Sequence, residues 1–276
     1  MTDLPADLPR PTWRFRVAAA LVVAAFWLAR WRFDVRGIEH VPGDRGAVVV
    51  WNHHSNVDFL VTAVHLYRRL DRPIRFLAMQ ELWSSRGWWW APRIGDAIPV
   101  DRHSDAGRQR SLRMAVEAAR AGHLVFVAPE ATISRSFELL PFRAGAARIA
   151  QAAGVPLVPS VSWGSHRLVT TGHPFSLRRG LRIPVTVRYE PPVTIGPDDD
   201  PVAVTAQVRA VMARRLDELQ RTYPDGTPAG AWWVPARLGG GAPPPDAVDP
   251  PARGVGPDAP DRDRRDGSGS PSSPAA

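Results

Sequence analysis

Apolar and polar positions change period several times along the chain, and each change marks an element. From Val17 to Ala29 the sequence is uninterrupted apolar, with Arg14 and Arg16 before it and Arg30 and Arg32 after it, which predicts one helix over Trp13 to Phe33. An apolar run of this length rises roughly 20 Å, against a hydrocarbon core of about 30 Å. The helix is therefore expected to lie in a bilayer interface, with Trp13, Trp27 and Trp31 at headgroup depth and arginines reaching lipid phosphates. A signal peptide fits poorly, because Arg30-Trp31-Arg32 stands where a small-residue cleavage site belongs. A helix packed on the protein core is the remaining reading.

Beyond this helix the pattern shortens. Phe33 to Glu39 reads as a strand, and Ala47 to Trp51, apolar at every position, as a buried one. Val57, Leu60, Val61 and Val64 recur at helical spacing and predict a helix from Val57 to Leu70, closed by Arg68-Arg69. Further strands are expected at Ile74 to Ala78, Ala97 to Val100, Leu124 to Ala128, Leu157 to Val161 and Val185 to Tyr189. Helices are expected at Asp105 to Ala121, at Ala144 to Ala153, and from Pro201, behind an Asp200 cap, to Arg221. This alternation predicts an α/β fold, a mixed sheet flanked by helices, whose sites gather at strand ends. Residues 1–35 form the membrane-associating helix, 36–236 the α/β domain and 237–276 a disordered tail rich in Pro, Gly, Asp and Ser. Between Leu82 and Pro92 the run Trp88-Trp89-Trp90 cannot all face one core, so at least one of the three is expected to be exposed.

Composition narrows the chemistry. The 276 residues hold no Cys, which removes disulfides, thiol catalysis and Cys-ligated zinc. All 35 basic residues are Arg, so neither a Schiff-base lysine nor a Walker-type phosphate loop is present. From Gly239 onward four Arg and six Asp give −2, leaving +10 of the net +8 on the remainder. A basic body rich in Trp suits an anionic membrane surface or phosphorylated substrates. Nucleic acid is not expected as a partner, since no binding motif is present and the arginines are dispersed.

The turn after the Ala47 to Trp51 strand reads Asn52-His53-His54-Ser55-Asn56-Val57-Asp58. His53 and Asp58 are close enough for the carboxylate to fold back on the imidazole, holding one ring nitrogen protonated and leaving the other to take a proton. A Ser-His-Asp hydrolase would need a nucleophile elbow, and no G-x-S-x-G occurs. A metal site on His53, His54 and Asp58 lacks any further spaced ligand cluster. A plain helix start, capped by Asn56 with Asp58 at the positive end, is equally compatible with the spacing.

These residues resemble the first block of the glycerolipid acyltransferase family that includes the 1-acylglycerol-3-phosphate acyltransferases, marked by its H-x4-D motif. Pro99-Val100-Asp101-Arg102 is similar to the second block, and Pro129-Glu130-Ala131-Thr132 with Arg135-Ser136 to the third. Phe142-Arg143-Ala144-Gly145-Ala146 resembles the segment that follows, and Val155-Pro156-Leu157-Val158-Pro159 the fourth block. The resemblance implies His53 as base and Asp58 as its orienting partner, with Arg102, Glu130, Thr132 and either Arg135 or Arg143 binding the acceptor. His54 receives no role, and Arg108, Arg110 and Arg113 are read as solvated charges. Where the family usually has Glu-Gly-Thr-Arg-Ser, this chain has Glu130-Ala131-Thr132-Ile133-Ser134-Arg135-Ser136. The loop backbone is therefore expected to differ, which leaves the acceptor's identity more open than the reaction.

The implied function is transfer of a fatty acyl group from acyl-CoA or acyl carrier protein to lysophosphatidate, giving phosphatidate, at the cytoplasmic face of the cell membrane. The alternatives are another lysophospholipid or lipid alcohol as acceptor, a lipid hydrolase, or a non-catalytic membrane-binding module. The tryptophan run then becomes a second membrane contact, part of an acyl-chain tunnel, or core. The expected partners are an anionic membrane surface, the acyl donor and the lysophospholipid acceptor. No metal or organic cofactor is required.

Overall fold

A computed structural model describes residues 8–84, 91–101 and 103–248. Trp88 to Trp90, Arg102 and the remainder of the expected tail lie outside the described residues. The first half runs α1 (Trp13–Leu28), β1 (Arg32–Arg36), β2 (Ala47–Trp51), α2 (Asp58–Leu70), β3 (Ile74–Met79), α3 (Ala91–Ile94), β4 (Ile98–Val100) and α4 (Asp105–Arg120). The second half runs β5 (Leu124–Val127), α5 (Gly145–Ala153), β6 (Leu157–Trp163), β7 (Pro184–Tyr189), α6 (Pro201–Arg221) and α7 (Pro245–Val248). The described strands form one seven-stranded mixed sheet in the order β1-β7-β6-β2-β5-β3-β4. Every neighbouring pair is parallel except β6 with β7.

A parallel sheet covered on both faces needs strands that are apolar at consecutive positions, and β2 and β5 meet that requirement. Val48 and Val50 of β2, with Val125 and Val127 of β5, face the layer made by α4, α5 and α6. Ala47, Val49 and Trp51, with Leu124 and Phe126, face the opposite layer, where α2 packs. Burial of both faces fixes β2 in the centre of the sheet, and its C-terminal end delivers the histidine turn.

The N-terminal helix is shorter than the apolar pattern predicts. It ends at Leu28 because Arg30 takes a left-handed turn (φ 55°) and Arg32–Arg36 joins the sheet beside Pro184 to Arg188. Strand pairing overrides the helical preference of Phe33, and β1 crosses the boundary expected after residue 35. Thr12 caps α1 by accepting the Phe15 amide, and Arg16 pairs with Asp71 at 2.9 Å. Phe15 meets the edge of Tyr67 on α2. None of the residues of α1 is fully buried, but Phe26 is half-buried against the core layer that α2 covers and stacks on Trp31. Among the described residues no helix is long and apolar enough to cross a membrane.

At the other end, residues 237–248 belong to the body instead of the tail. The amides of Gly240, Gly241 and Ala242 bond back to Pro235, Ala231 and Val234, and Ala242 is buried. Composition conceals this docking because three of its ties are backbone hydrogen bonds and its buried side chain is a single methyl group, while Arg237, which bonds to Asp217 and Gln220, reads in sequence as a surface charge.

Behind β6 the core contains two imidazoles. His54 and His166 are fully buried among Phe137 and Trp163, and burial drives both down to a pKa of about 3. His166 Nε2 donates to the carbonyl of Trp233, which ties the C-terminal segment to the core. An unfolded histidine titrates near 6.5, so as pH falls the unfolded chain binds protons first. Stability is therefore expected to be flat above pH ~6.5 and to fall below it, by up to about 1.4 kcal/mol per pH unit for each buried imidazole, until the folded pKa is reached. Denaturant unfolding between pH 4 and 8 checks this, and His166→Phe should show the shallower acid slope.

Candidate active site

At the C-terminal end of β2 the chain leaves the sheet through Asn52. Its side-chain amide accepts from the Ser162 amide (2.7 Å) and donates to the Ser162 carbonyl (3.0 Å), continuing the β2 to β6 pairing by one side chain. Asn52 thereby sets where the next residues emerge. His53 follows with its ring partly exposed to a cleft and its edge against Trp51. Asp58, the first residue of α2, is buried below it at 1% exposure.

A buried carboxylate is tolerated only when its oxygens are occupied by donors. Asp58 Oδ2 accepts the amides of His54 and Ser55, each at 2.6 Å, and faces His53 Nδ1 at 3.4 Å. Oδ1 accepts the hydroxyl of Ser165. The helix start is thus built differently from the expected Asn56 cap. Val57 occupies the cap position without a side-chain bond, Ser55 Oγ accepts the Val57 amide, and Asn56 is exposed in the cleft wall. With Nδ1 directed at the carboxylate, Nε2 of His53 is the nitrogen left for a substrate proton.

The loop after β5 braces this arrangement. Glu130 is buried, and its carboxylate accepts the amides of His53 (2.9 Å) and Leu140 (2.8 Å). The amide of Ser134 donates to the carbonyl of His53 at 2.9 Å. Glu130 therefore holds the histidine turn by its main chain and is absent from the cleft lining. Ala131 adopts φ 58°, so the left-handed conformation is reached without glycine. At this φ the alanine bears a Cβ penalty that glycine would not.

The cleft encloses about 1660 Å³ at the C-terminal edge of the sheet. Phe76, Leu77 and Met79 of β3, with Phe59, Leu82 and Leu112, supply apolar lining. His53, Thr132, Arg143, Ser104 and Arg108 supply polar lining. Arg143 is exposed, lines the cleft and makes no ion pair among the described residues. Arg108, expected to be a solvated surface charge, lines the cleft while pairing with Asp105. Arg135 is exposed on the loop outside the lining, so of the two arginines that the resemblance offers, only Arg143 shares the cleft with His53. Arg102 lies outside the described residues.

Ser165 is the residue that sequence reasoning missed. It sits beyond β6, 107 positions from the Asp58 carboxylate that it meets. Gly164 makes the approach possible, because at φ 113° a Cβ there would lie 2.2 Å from the Pro184 carbonyl oxygen. The only local sign is the Gly-Ser pair directly after a strand.

Comparison with known proteins agrees with this architecture. A family model described as Acyltransferase matches residues 32–163. The 1-acyl-sn-glycerol-3-phosphate acyltransferase alpha of Mus musculus is 30% identical over 221 residues, 74% of this chain and 70% of the mouse protein. The chloroplastic 1-acyl-sn-glycerol-3-phosphate acyltransferase BAT2 of Brassica napus is 28% identical over 151 residues, 54% of this chain but only 42% of the plant protein. The crystal structure of the 1-acyl-sn-glycerophosphate (LPA) acyltransferase PlsC from Thermotoga maritima superposes with a TM-score of 0.61 at 26% identity, covering 76% of this chain and 80% of that one. The chain belongs to the acyltransferase family of the 1-acyl-sn-glycerol-3-phosphate acyltransferases.

Two expectations follow from the geometry. Ala131→Gly should raise the unfolding free energy by about 0.5–1 kcal/mol, since glycine meets φ 58° without the Cβ penalty and loses part of that gain to chain entropy. Thermal unfolding of the purified variant measures it. Ser165→Ala removes one donor from Asp58 and should lower kcat about tenfold with little change in KM. A purely structural role for Ser165 would lower stability and leave kcat at the wild-type value.

Proposed function

We propose that the chain transfers a fatty acyl group from a thioester donor, acyl-CoA or acyl carrier protein, to the free hydroxyl of lysophosphatidate, giving phosphatidate for phospholipid synthesis. The observation that carries this reading is the His53–Asp58 pair in one cleft with Arg143. His53 Nε2 takes the hydroxyl proton as the oxygen attacks the thioester carbonyl. The tetrahedral intermediate then collapses, the carbon–sulfur bond breaks, and the imidazolium returns its proton to the departing thiolate. A thiolate leaves readily, so one base serves both steps without a covalent serine intermediate. Asp58 supports the transient imidazolium, and general base catalysis of this kind contributes about 10²–10⁴ in rate.

Arg143 is the phosphate ligand in this reading, because a planar guanidinium meets two phosphate oxygens at once. The apolar lining from β3 receives the acyl chain. Helix α1 is the membrane-associating element and the α/β body the catalytic domain. Trp13, Val17, Leu21 and Leu28 repeat along one exposed stripe of α1, and Trp27 adds to it at the C-terminal end. Such a stripe suits the interface of an anionic cytoplasmic leaflet.

The test is a purified-protein assay with labelled acyl-CoA and acyl carrier protein against a panel of lysophospholipids, glycerol phosphate and unphosphorylated lipid alcohols. Diacyl product with lysophosphatidate is expected, reduced at least about 10²-fold by His53→Ala. Arg143→Gln should raise KM for phosphorylated acceptors more than for neutral ones. Product with neutral acceptors alone would refute the phosphate ligand while leaving the transfer chemistry standing. Free fatty acid in place of diacyl product would mark a hydrolase, and full activity in His53→Ala would remove the base.

A further inference from the structure

The stripe on α1 leaves a second exposed apolar surface unexplained. In the connection between β6 and β7, Phe175, Leu177 and Leu181 are 59%, 72% and 55% exposed. They alternate with Arg178 and Arg182, which are also exposed. Apolar side chains gathered this openly on a structured segment mark a contact surface.

The segment is held in shape. Thr170 and His173 exchange two backbone hydrogen bonds of 3.0 Å, and His173 stacks on Trp232 with ring centroids 3.9 Å apart. The guanidinium of Arg179 lies over the same indole. The Gly180 amide closes a turn onto Ser176 at 2.9 Å. The segment is also fastened to the C-terminal end of α1. Trp31 Nε1 donates to the Gly180 carbonyl at 2.6 Å, and the Arg182 amide donates to the Ala29 carbonyl at 2.8 Å. Immediately before that junction α1 exposes Trp27 and Leu28.

Charge selects the occupant. No acidic residue occurs from Leu139 to Tyr189 or from Leu8 to Phe33, so both segments carry arginine and apolar side chains with no counter-charge of their own. A surface that is apolar and cationic at once complements a layer with an anionic face over a hydrocarbon interior.

We propose that residues 174–182 form, with the C-terminal end of α1, a second membrane contact, in which Phe175, Leu177 and Leu181 enter the headgroup region of an anionic bilayer and Arg178 and Arg182 bind lipid phosphates. The proposal rests on the reading of α1 as a membrane-associating helix. Two contacts joined at one corner fix the tilt of the body, where a single helix would leave it free to roll. Thr171 lines the catalytic cleft three positions before Pro174, so the contact holds the cleft mouth beside the bilayer from which a lipid acceptor arrives.

Co-flotation of the full chain with phosphatidylcholine vesicles, with and without phosphatidylglycerol, tests this. The wild-type protein should float with the anionic vesicles. Leu177→Asp/Leu181→Asp should lower partitioning by at least about tenfold. Arg178→Gln/Arg182→Gln should reduce the preference for phosphatidylglycerol by roughly fivefold per arginine. Both should retain wild-type turnover of detergent-dispersed substrate. Because the chain has no Cys, Leu177→Cys can carry one environment-sensitive fluorophore, whose emission should shift to the blue on adding anionic vesicles. Unchanged flotation of the loop variants or an unshifted fluorophore, with Leu21→Asp in α1 abolishing flotation, overturns the second contact and leaves the α1 reading intact. Failure of the wild-type protein to float overturns both.

Discussion

The site depends on keeping an ionised carboxylate out of water. An unaccompanied carboxylate at the depth of Asp58 would cost several kcal/mol, and the protein offsets this by converging donors from separate parts of the chain. Two come from the backbone of the histidine turn, one from Ser165 beyond β6, and His53 Nδ1 completes the set. Each donor has one satisfactory position, so satisfying Asp58 also fixes the turn, the start of α2 and the direction of the His53 ring. Glu130 repeats the device one layer out, with a second buried carboxylate holding His53 by its amide and Leu140 on the neighbouring loop. The His53 ring is positioned largely by buried carboxylates that lie outside the cleft lining.

Much of this frame is legible in the sequence because it is local. The continuous apolar run of β2 requires a central strand, the spacing of His53 and Asp58 permits their pairing, and Asp200-Pro201 announces α6. Features set by distant pairing are not legible. The strand expected at Phe33 to Glu39 does form, but its bounds, Arg32–Arg36, are set by its pairing with β7. Ser165 meets Asp58 through a crossing of the sheet, and its role cannot be read from the residues beside it. The family motif locates Glu130 but does not say that its carboxylate accepts the amides of His53 and Leu140, as it does in the fold. Ala131 shows that a left-handed conformation need not be marked by glycine in the sequence.

The cleft combines two solvents in one volume. Strand β3, next to the sheet edge, contributes Phe76, Leu77, Ala78 and Met79 to the apolar lining. The loops after β4 and β5 supply the polar lining, placed where parallel strands end together. An amphiphile is the natural complement of such a volume, and the distribution follows from which elements end at that edge of the sheet.

The position of β1 has a consequence for how the chain is made. Arg32 emerges from the ribosome roughly 150 residues ahead of its partner Pro184, and at about 5–20 residues per second that interval lasts on the order of 8–30 s. Throughout it the nascent chain carries an oily helix followed by a strand with both edges bare, while the central strands are still being added. A lipid surface close to the exit tunnel would shelter that helix during the wait. The last pairing of the sheet would then close on a chain whose first helix is already covered.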